Sequence, residues 1–529
     1  MTTIQRHTEN QKMMPSAIPL SNRRSDLILW VTGFLTTGLY LFLMVNDSVP
    51  LVGMAILALL WLIMWVLNGR LSLSTPIDPL ILAFLSLVII SLLIYSSQET
   101  ALPSVYAIIL GIAVLYFLVN FIKSLERVRL AIFALIFLAI GISLLGLVGM
   151  DWSASRLSAF AGLGARFSSI SAIFQQYVGR DLINANTIGG ALTFHPPLLL
   201  ALLWDRGAYQ RAFLRKNPHA QRRITLYKLL LIFTLLLVML TILVSSSTGS
   251  ILGAGVGLLF LLIWKDHRFL WLVPVLILLA LGLLYSQING SLSEFFTLLL
   301  KKQHDSIISR LDVWRDTVYI IRDFPLTGVG LGNFGSVLKD FYNSNLFPQT
   351  ATYYFHPHNT LLSVAVDLGI PALVLYVALL SGTFAMVLKT MKRVRSLVKY
   401  LLMGLLSGLL AHQVFGLTDA YVLGKKLGLI MWIFIGLVAA IYVNKHPLAG
   451  FSTSSEDSPA HIKPKMGWQN LGLWAKQLLI GIGLWVVISL IAVTIVNFNT
   501  YLSLVLALVG GVFLGVYLVK NTSMKRFDR

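Results

Sequence analysis

Cysteine is absent from the 529 residues. That excludes disulfides, thiolate nucleophiles and cysteine-ligated metal or cluster sites, and leaves the redox compartment open. Charge is scarce. Charged residues are 12% and apolar residues 57%, against about 25% charged in an average soluble domain. A chain this long with so few charges cannot cover a water-facing surface. Several soluble domains of ~150 residues are therefore excluded, and membrane residence follows. Acid is the scarcest charge: 21 Asp and Glu stand against 41 Lys and Arg, for a net +20. On a soluble protein that excess would point to nucleic acid. On a membrane protein the question is on which side of the bilayer the cations lie, and no nucleic-acid partner is expected. No cleavable signal peptide is evident, since the first apolar run, 27–45, is long enough to span and follows a polar tail of about 26 residues.

What is present is hydrophobic runs. A spanning helix needs ~20 mostly apolar residues. About fourteen are read at 27–46, 49–68, 78–96, 105–121, 130–149, 186–204, 229–245, 249–264, 270–286, 358–388, 400–416, 427–444, 477–497 and 500–519. The weakest is 186–204, interrupted by His195-Pro196-Pro197, whose freed backbone groups need other partners. The fold class is an all-α polytopic integral membrane protein. Lys and Arg set its orientation. With the N-terminus in the cytoplasm, 30 of the 41 basic residues fall inside and 11 outside. Both termini are then cytoplasmic, and one large, partly helical loop, 287–357, lies outside. The domain organisation reads as a cytoplasmic tail 1–26, N-terminal helices 27–149 and a core 150–444. A cytoplasmic linker 445–476 and a C-terminal helix pair with its tail, 477–529, complete it. No short-period repeat and no two-half symmetry is found.

Chemistry is sought in the outer segments. Within 306–323, Ile307, Leu311, Trp314, Val318 and Ile321 recur at helical spacing, one stripe of an amphipathic helix. Asp312 and Asp316 fall opposite, and Arg310 and Arg322 lie at the stripe's edges. These arginines either snorkel and pair with acids or meet an anion, for which a planar guanidinium is suited. The run Pro325-Leu326-Thr327-Gly328-Val329-Gly330-Leu331-Gly332-Asn333-Phe334 reads as a turn rather than an anion-cradling nest. It is not a dinucleotide fingerprint, because Asn333 takes the third glycine's place.

Tyr353-Tyr354-Phe355-His356-Pro357-His358-Asn359 then leads into a span. Aromatics here form an interface belt by default. Two histidines at i and i+2 suggest a metal pair, but no carboxylate lies within 353–362 and zinc would need a third ligand from elsewhere. No metal and no cofactor is expected. A neutral histidine at this position suits a general base, with Asn359 capping the helix or orienting the ring. A purely structural histidine is the bland alternative. Further polar groups fall near the same leaflet: Arg180, Asp181, Asn184 and Asn186, the Ser245–Ser250 turn, and His412 and Asp419. Polar groups at membrane depth are functional suspects, although caps and interhelical hydrogen bonds explain each singly.

Taken together these residues resemble the O-antigen ligase and polymerase superfamily of bacterial membrane glycosyltransferases. The pattern is Arg310-x3-Trp314, then Asp323 to Phe334 with its alternating glycines, then His358-Asn359-x-x-Leu362 with Gly369. Asn184-x-Asn186-x-x-Gly189 and the serine-rich turn agree. The resemblance covers about 180–375; over the first five helices only hydropathy agrees. It implies transfer of a glycan from undecaprenyl diphosphate to an acceptor hydroxyl on a glycan, lipid or protein, without metal, on the outer face of the bacterial inner membrane. His358 matches the family's proposed base, and Arg310 an arginine held to bind the lipid diphosphate. Asn184, Asn186, Asn359, Thr248 and His412 join as substrate-binding candidates. Where the family often has Ser-Arg-Gly, this chain has Ser247-Thr248-Gly249, so Arg166, Arg180 and Arg322 are candidate replacements. A second family glycine is Ala372 here, and the last helix pair looks like an addition. Two other classes compete. A small-anion (inorganic carbon) transporter would place charge near the midplane; a non-enzymatic envelope-assembly protein would not need His358.

Overall fold

The computed structural model describes residues 20–46, 50–68, 71–94, 98–150, 171–173, 175–176, 183–205, 218–275, 278, 304–342, 356–419, 428–445, 448 and 500–524. Among them no β-strand forms. The helices are α1 (Leu20–Asn46), α2 (Leu51–Asn68), α3 (Asp78–Ile94), α4 (Gln98–Phe121), α5 (Leu125–Gly149), α6 (Ala185–Leu192), α7 (His195–Leu203), α8 (Pro218–Val244), α9 (Thr248–Lys265), α10 (His304–Asp323), α11 (Phe334–Phe341), α12 (Thr360–Met391), α13 (Ser396–Phe415), α14 (Gly428–Val443) and α15 (Thr500–Met524).

Among the described residues, eight helical segments are long and apolar enough to cross a membrane. They are Ala101–Phe121, α5, the α6–α7 pair, α8, α9, α12, α13 and Thr500–Lys520. Four shorter apolar helices, Asp26–Leu39, Leu51–Leu67, Asp78–Leu93 and Gly428–Val443, accompany them. The expected span at 477–497, and most of that at 270–286, lies outside the described residues. The doubtful 186–204 segment is two short helices meeting at Thr193 and Phe194. Pro196 and Pro197 sit in the first turn of α7, where a missing N–H costs least.

Small residues bring these helices close. Between two apolar helices in lipid, close backbone approach supplies dispersion that the hydrophobic effect cannot. Gly253 and Gly257 of α9 lie against Ala411 and Ser407 of α13, and Gly404 and Gly408 of α13 lie against Leu198 and Phe194. Gly511 and Gly515 of α15 press on the α12 backbone at Val374 and Ala378. There the Ser381 hydroxyl donates to the Gly511 carbonyl at 3.2 Å, and the Lys389 ammonium to the Val519 carbonyl at 2.7 Å. Leu93, Phe34, Leu236 and Phe513 remain exposed, as side chains facing lipid would be.

The long helix α12 organises the site. It is broken at Gly369, which takes φ 84° and ψ 169°. Pro371 has no N–H, so the Asp367 carbonyl loses its helical partner. The glycine-rich loop fills the break. Val329 N–H donates to the Val366 carbonyl at 2.8 Å and Gly330 N–H to the Asp367 carbonyl at 3.0 Å. In exchange Ile370 N–H donates to the Pro325 carbonyl at 2.8 Å. Gly328 and Gly369 both have positive φ, and a Cβ on either would strike backbone of the opposite segment. The alternating glycines thus form a turn docked into a broken helix. The Val329 and Gly330 amides are spent on α12 rather than on an anion.

Candidate functional site

Two segments are laced together where α12 begins and α13 ends. Asn359, in extended conformation, caps α12 by accepting from Leu361 N–H at 3.0 Å and Leu362 N–H at 3.1 Å. Its amide donates to the Leu417 carbonyl at 3.4 Å. Thr360 N–H donates to the Gly416 carbonyl at 2.7 Å, and its hydroxyl to the Asp419 carbonyl at 3.2 Å. These bonds fix the turn after α13 against the entry to α12. The capping expectation for Asn359 holds, and its side chain serves the backbone.

His358 precedes the cap with φ 50°, a left-handed conformation in which histidine is enriched among non-glycine residues. Its N–H donates to His356 Nδ1 at 3.3 Å. Between them, the Pro357 carbonyl accepts from the Trp314 indole N–H at 2.9 Å, so α10 holds this turn from the other side. The His358 ring is a quarter exposed, and its Nδ1 lies 3.4 Å from Oδ1 of Asp419, whose side chain is buried. His356 Nδ1 lies 3.9 Å from the same oxygen, and the two imidazole centroids are 4.4 Å apart. A buried carboxylate facing Nδ1 favours the proton there, which leaves the Nε2 lone pair for chemistry.

Arg310 is half-buried and makes no hydrogen bond or ion pair among the described residues. It precedes Trp314 by four residues, and side chains so spaced share a helix face about one turn apart. Since Trp314 reaches Pro357, Arg310 is on the side of α10 that faces the histidine turn. Arg322 is exposed in the last turn of α10. It stands about 18 Å along the axis from Arg310, at 1.5 Å per residue. Arg166 and Arg180 lie outside the described residues.

The expected stripe on α10 holds at Val318 and Ile321 and is corrected elsewhere. Leu311 is 53% exposed, whereas Asp316 is 7% exposed. The buried side is Val313, Asp316, Thr317, Ile320 and Ile321, with Val318 and Trp314 at its margin. The helix is rotated by its docking on α12 and by the Trp314 bond. Thr317 tolerates burial because its hydroxyl donates to the Val313 carbonyl at 2.6 Å. Asp316 is accompanied by Arg315, whose Nε lies 3.4 Å from Oδ1.

The serine-rich turn belongs to the same end of the bundle. A Cβ on Gly249 would meet Thr418 and Phe415, and one on Gly189 would meet Ser250 and Ser245. Ser247 caps α9, and Thr248 is exposed in its first turn. Asn184 caps α6 by accepting from Asn186 N–H at 2.8 Å, and the Asn186 side chain is half-buried. His412 does not line this end. It is 1% exposed, stacks on Phe194 at 4.1 Å, and places Nδ1 3.1 Å from the Gly190 carbonyl and 3.3 Å from the Thr193 hydroxyl. It plugs the joint between α6 and α7.

What the sequence did not reveal is the pairing of Asp419 with His358. An acidic residue just past an apolar helix was visible, but not that the end of α13 folds against the start of α12. Trp314 was visible on the stripe and in the Arg310-x3-Trp314 pattern, but its bond to the Pro357 carbonyl was hidden.

Residues 233–377 match the O-antigen ligase family model. This segment is similar to that family, and the match supports the resemblance to the O-antigen ligase and polymerase superfamily. The match holds Arg310, the glycine loop, His358 and Gly369, and stops before Asp419. A comparison with curated proteins gives no match. The match and the apolar helices support a multi-pass membrane protein of O-antigen-ligase-like polysaccharide biosynthesis, with glycosyltransferase-type activity.

Proposed function

We propose that the protein transfers an oligo- or polysaccharide from undecaprenyl diphosphate to an acceptor hydroxyl at the extracytoplasmic face of the bacterial inner membrane. The observation that carries this reading is His358 in its left-handed turn, with Nδ1 3.4 Å from buried Asp419. The acceptor hydroxyl, supplied by a glycan, lipid or protein, gives its proton to His358 Nε2 as its oxygen bonds to the anomeric carbon. The bond from that carbon to the phosphate oxygen breaks, and the lipid diphosphate leaves with the electron pair. Arg310, on the histidine-facing side of α10, meets the negative charge that grows there. Asp419 positions the ring and stabilises the imidazolium. The outward orientation is supported by the Lys and Arg bias, which puts the start of α12 on the non-cytoplasmic side.

The test is transfer by purified protein in lipid, with a lipid-linked oligosaccharide as donor and three acceptors in parallel. Wild type is compared with His358→Ala and Arg310→Ala. Loss of turnover in both, with the fold retained, is expected. Wild-type rates in both variants would sink the mechanism. A scaffold would show no turnover with any acceptor, and a transporter would instead show flux of a small anion.

A further inference from the structure

The sequence argued against a metal because no carboxylate lies near His356 and His358. The fold removes that argument. Asp419, sixty-one residues beyond His358, is carried back to the histidine turn. His356, His358 and Asp419 each present a ligand atom, and these atoms all lie within 4.8 Å of one another. Two imidazole nitrogens and one carboxylate oxygen are a common zinc donor set, with a fourth position left for water or substrate. Donors around a tetrahedral zinc sit ~3.3 Å apart, given bonds of 2.0–2.1 Å. One separation here is already 3.4 Å and another is 3.9 Å. The remaining separation is at most 4.8 Å, and closing it turns the His356 ring, which sits on an irregular turn rather than in a helix.

The tautomer agrees. His356 Nδ1 accepts from the His358 N–H, so the ring carries its proton on Nε2, and a metal at Nδ1 takes the place of that amide. The carboxylate is buried, and a dication there would be matched by a negative charge. Around the trio, the backbone is pinned by Trp314 on the Pro357 carbonyl and Thr360 on the Asp419 carbonyl. Such outer partners hold ligands in register.

We propose that His356, His358 and Asp419 form a binding site for a borderline divalent metal ion such as zinc, and that the bound ion inhibits glycan transfer. The binding stands on the geometry; the inhibition rests on the proposed role of His358 as base. A metal on Nδ1 of His358 takes that lone pair and leaves the ring proton on Nε2. The ring then cannot accept the acceptor's proton at Nε2. The ion also neutralises Asp419. Zinc thus switches the histidine off rather than supplying catalysis, which agrees with a transfer reaction that needs no metal.

The experiment is titration of metal-stripped full-length protein in nanodiscs with Zn²⁺ by calorimetry, and with Co²⁺ by visible absorption. Wild type, His356→Gln and Asp419→Asn are compared, each checked for a folded thermal transition. One equivalent bound by wild type is expected, with tetrahedral cobalt bands. Each variant should weaken binding at least about tenfold, as loss of one of three protein ligands implies. Absence of stoichiometric binding to wild type, or equal binding by both variants, overturns the site. In the transfer assay, the rate of each protein is compared with and without Zn²⁺, relative to its own metal-free rate. Zinc should suppress wild type and spare His356→Gln. Binding without inhibition would leave the site standing and overturn the assigned use of Nε2. If no transfer is seen at all, the calorimetry and cobalt spectra still decide the site.

Discussion

Two histidines sit near the same end of the bundle and have opposite surroundings. His358 is on an irregular turn, a quarter exposed, with a buried carboxylate 3.4 Å from its Nδ1. His412 is inside α13, 1% exposed, stacked on Phe194 and bonded to backbone at the α6–α7 joint. Hydropathy treats both as polar groups near a helix end. The fold separates a partly exposed residue from one that closes a gap between helices. Polarity at membrane depth marks a suspect; access and the partners of the ring nitrogens tell the two apart.

The largest expected effect tests that contrast directly. His358→Ala should lower kcat by about 10²–10⁴, the usual contribution of a positioned general base, while His412→Ala leaves kcat within a few-fold. The reverse order in a purified transfer assay would invert the comparison. Next, His412→Ala should cost about 2–4 kcal/mol of stability, because it opens a cavity beside Phe194 at the α6–α7 joint. Thermal unfolding in lipid measures it, and His358→Ala should show far less. A similar cost, about 3 kcal/mol, is expected for Gly369→Ala, which adds a Cβ at positive φ against the Leu326 backbone. Its readout is the melting transition together with faster amide exchange at Val329 and Gly330. The smallest effect is Trp314→Phe. It removes one hydrogen bond to the Pro357 carbonyl, worth about 1 kcal/mol, and should lower kcat more than it raises KM by letting the histidine turn drift. A variant that raises only KM would reassign Trp314 to substrate contact.

Much of this molecule was legible in the chain. The helices follow from apolar runs, because a backbone in lipid must satisfy its own hydrogen bonds. The glycine run was legible as a turn, but its partner was not: the break at Gly369 and Pro371 lies about 40 residues on, and only packing joins them. The α10 stripe was right at Val318 and Ile321 and wrong at Leu311 and Asp316, because periodicity gives a face in isolation. Docking on α12 turned that face toward Val313, Asp316 and Ile320. A helical wheel put Arg310 and Arg322 at the two edges of that stripe and discarded their distance along the axis.

His358, Arg310 and the glycine loop were named from the chain because each lies inside one local pattern. Residue type, spacing and hydropathy determined the membrane class and those candidates, since these properties act over a few residues. Tertiary structure decided that Asp419 meets His356 and His358, that His412 is sealed, and that Trp314 holds the turn. Those contacts join segments from 43 to 222 residues apart, and no short-range preference encodes which helix ends will meet.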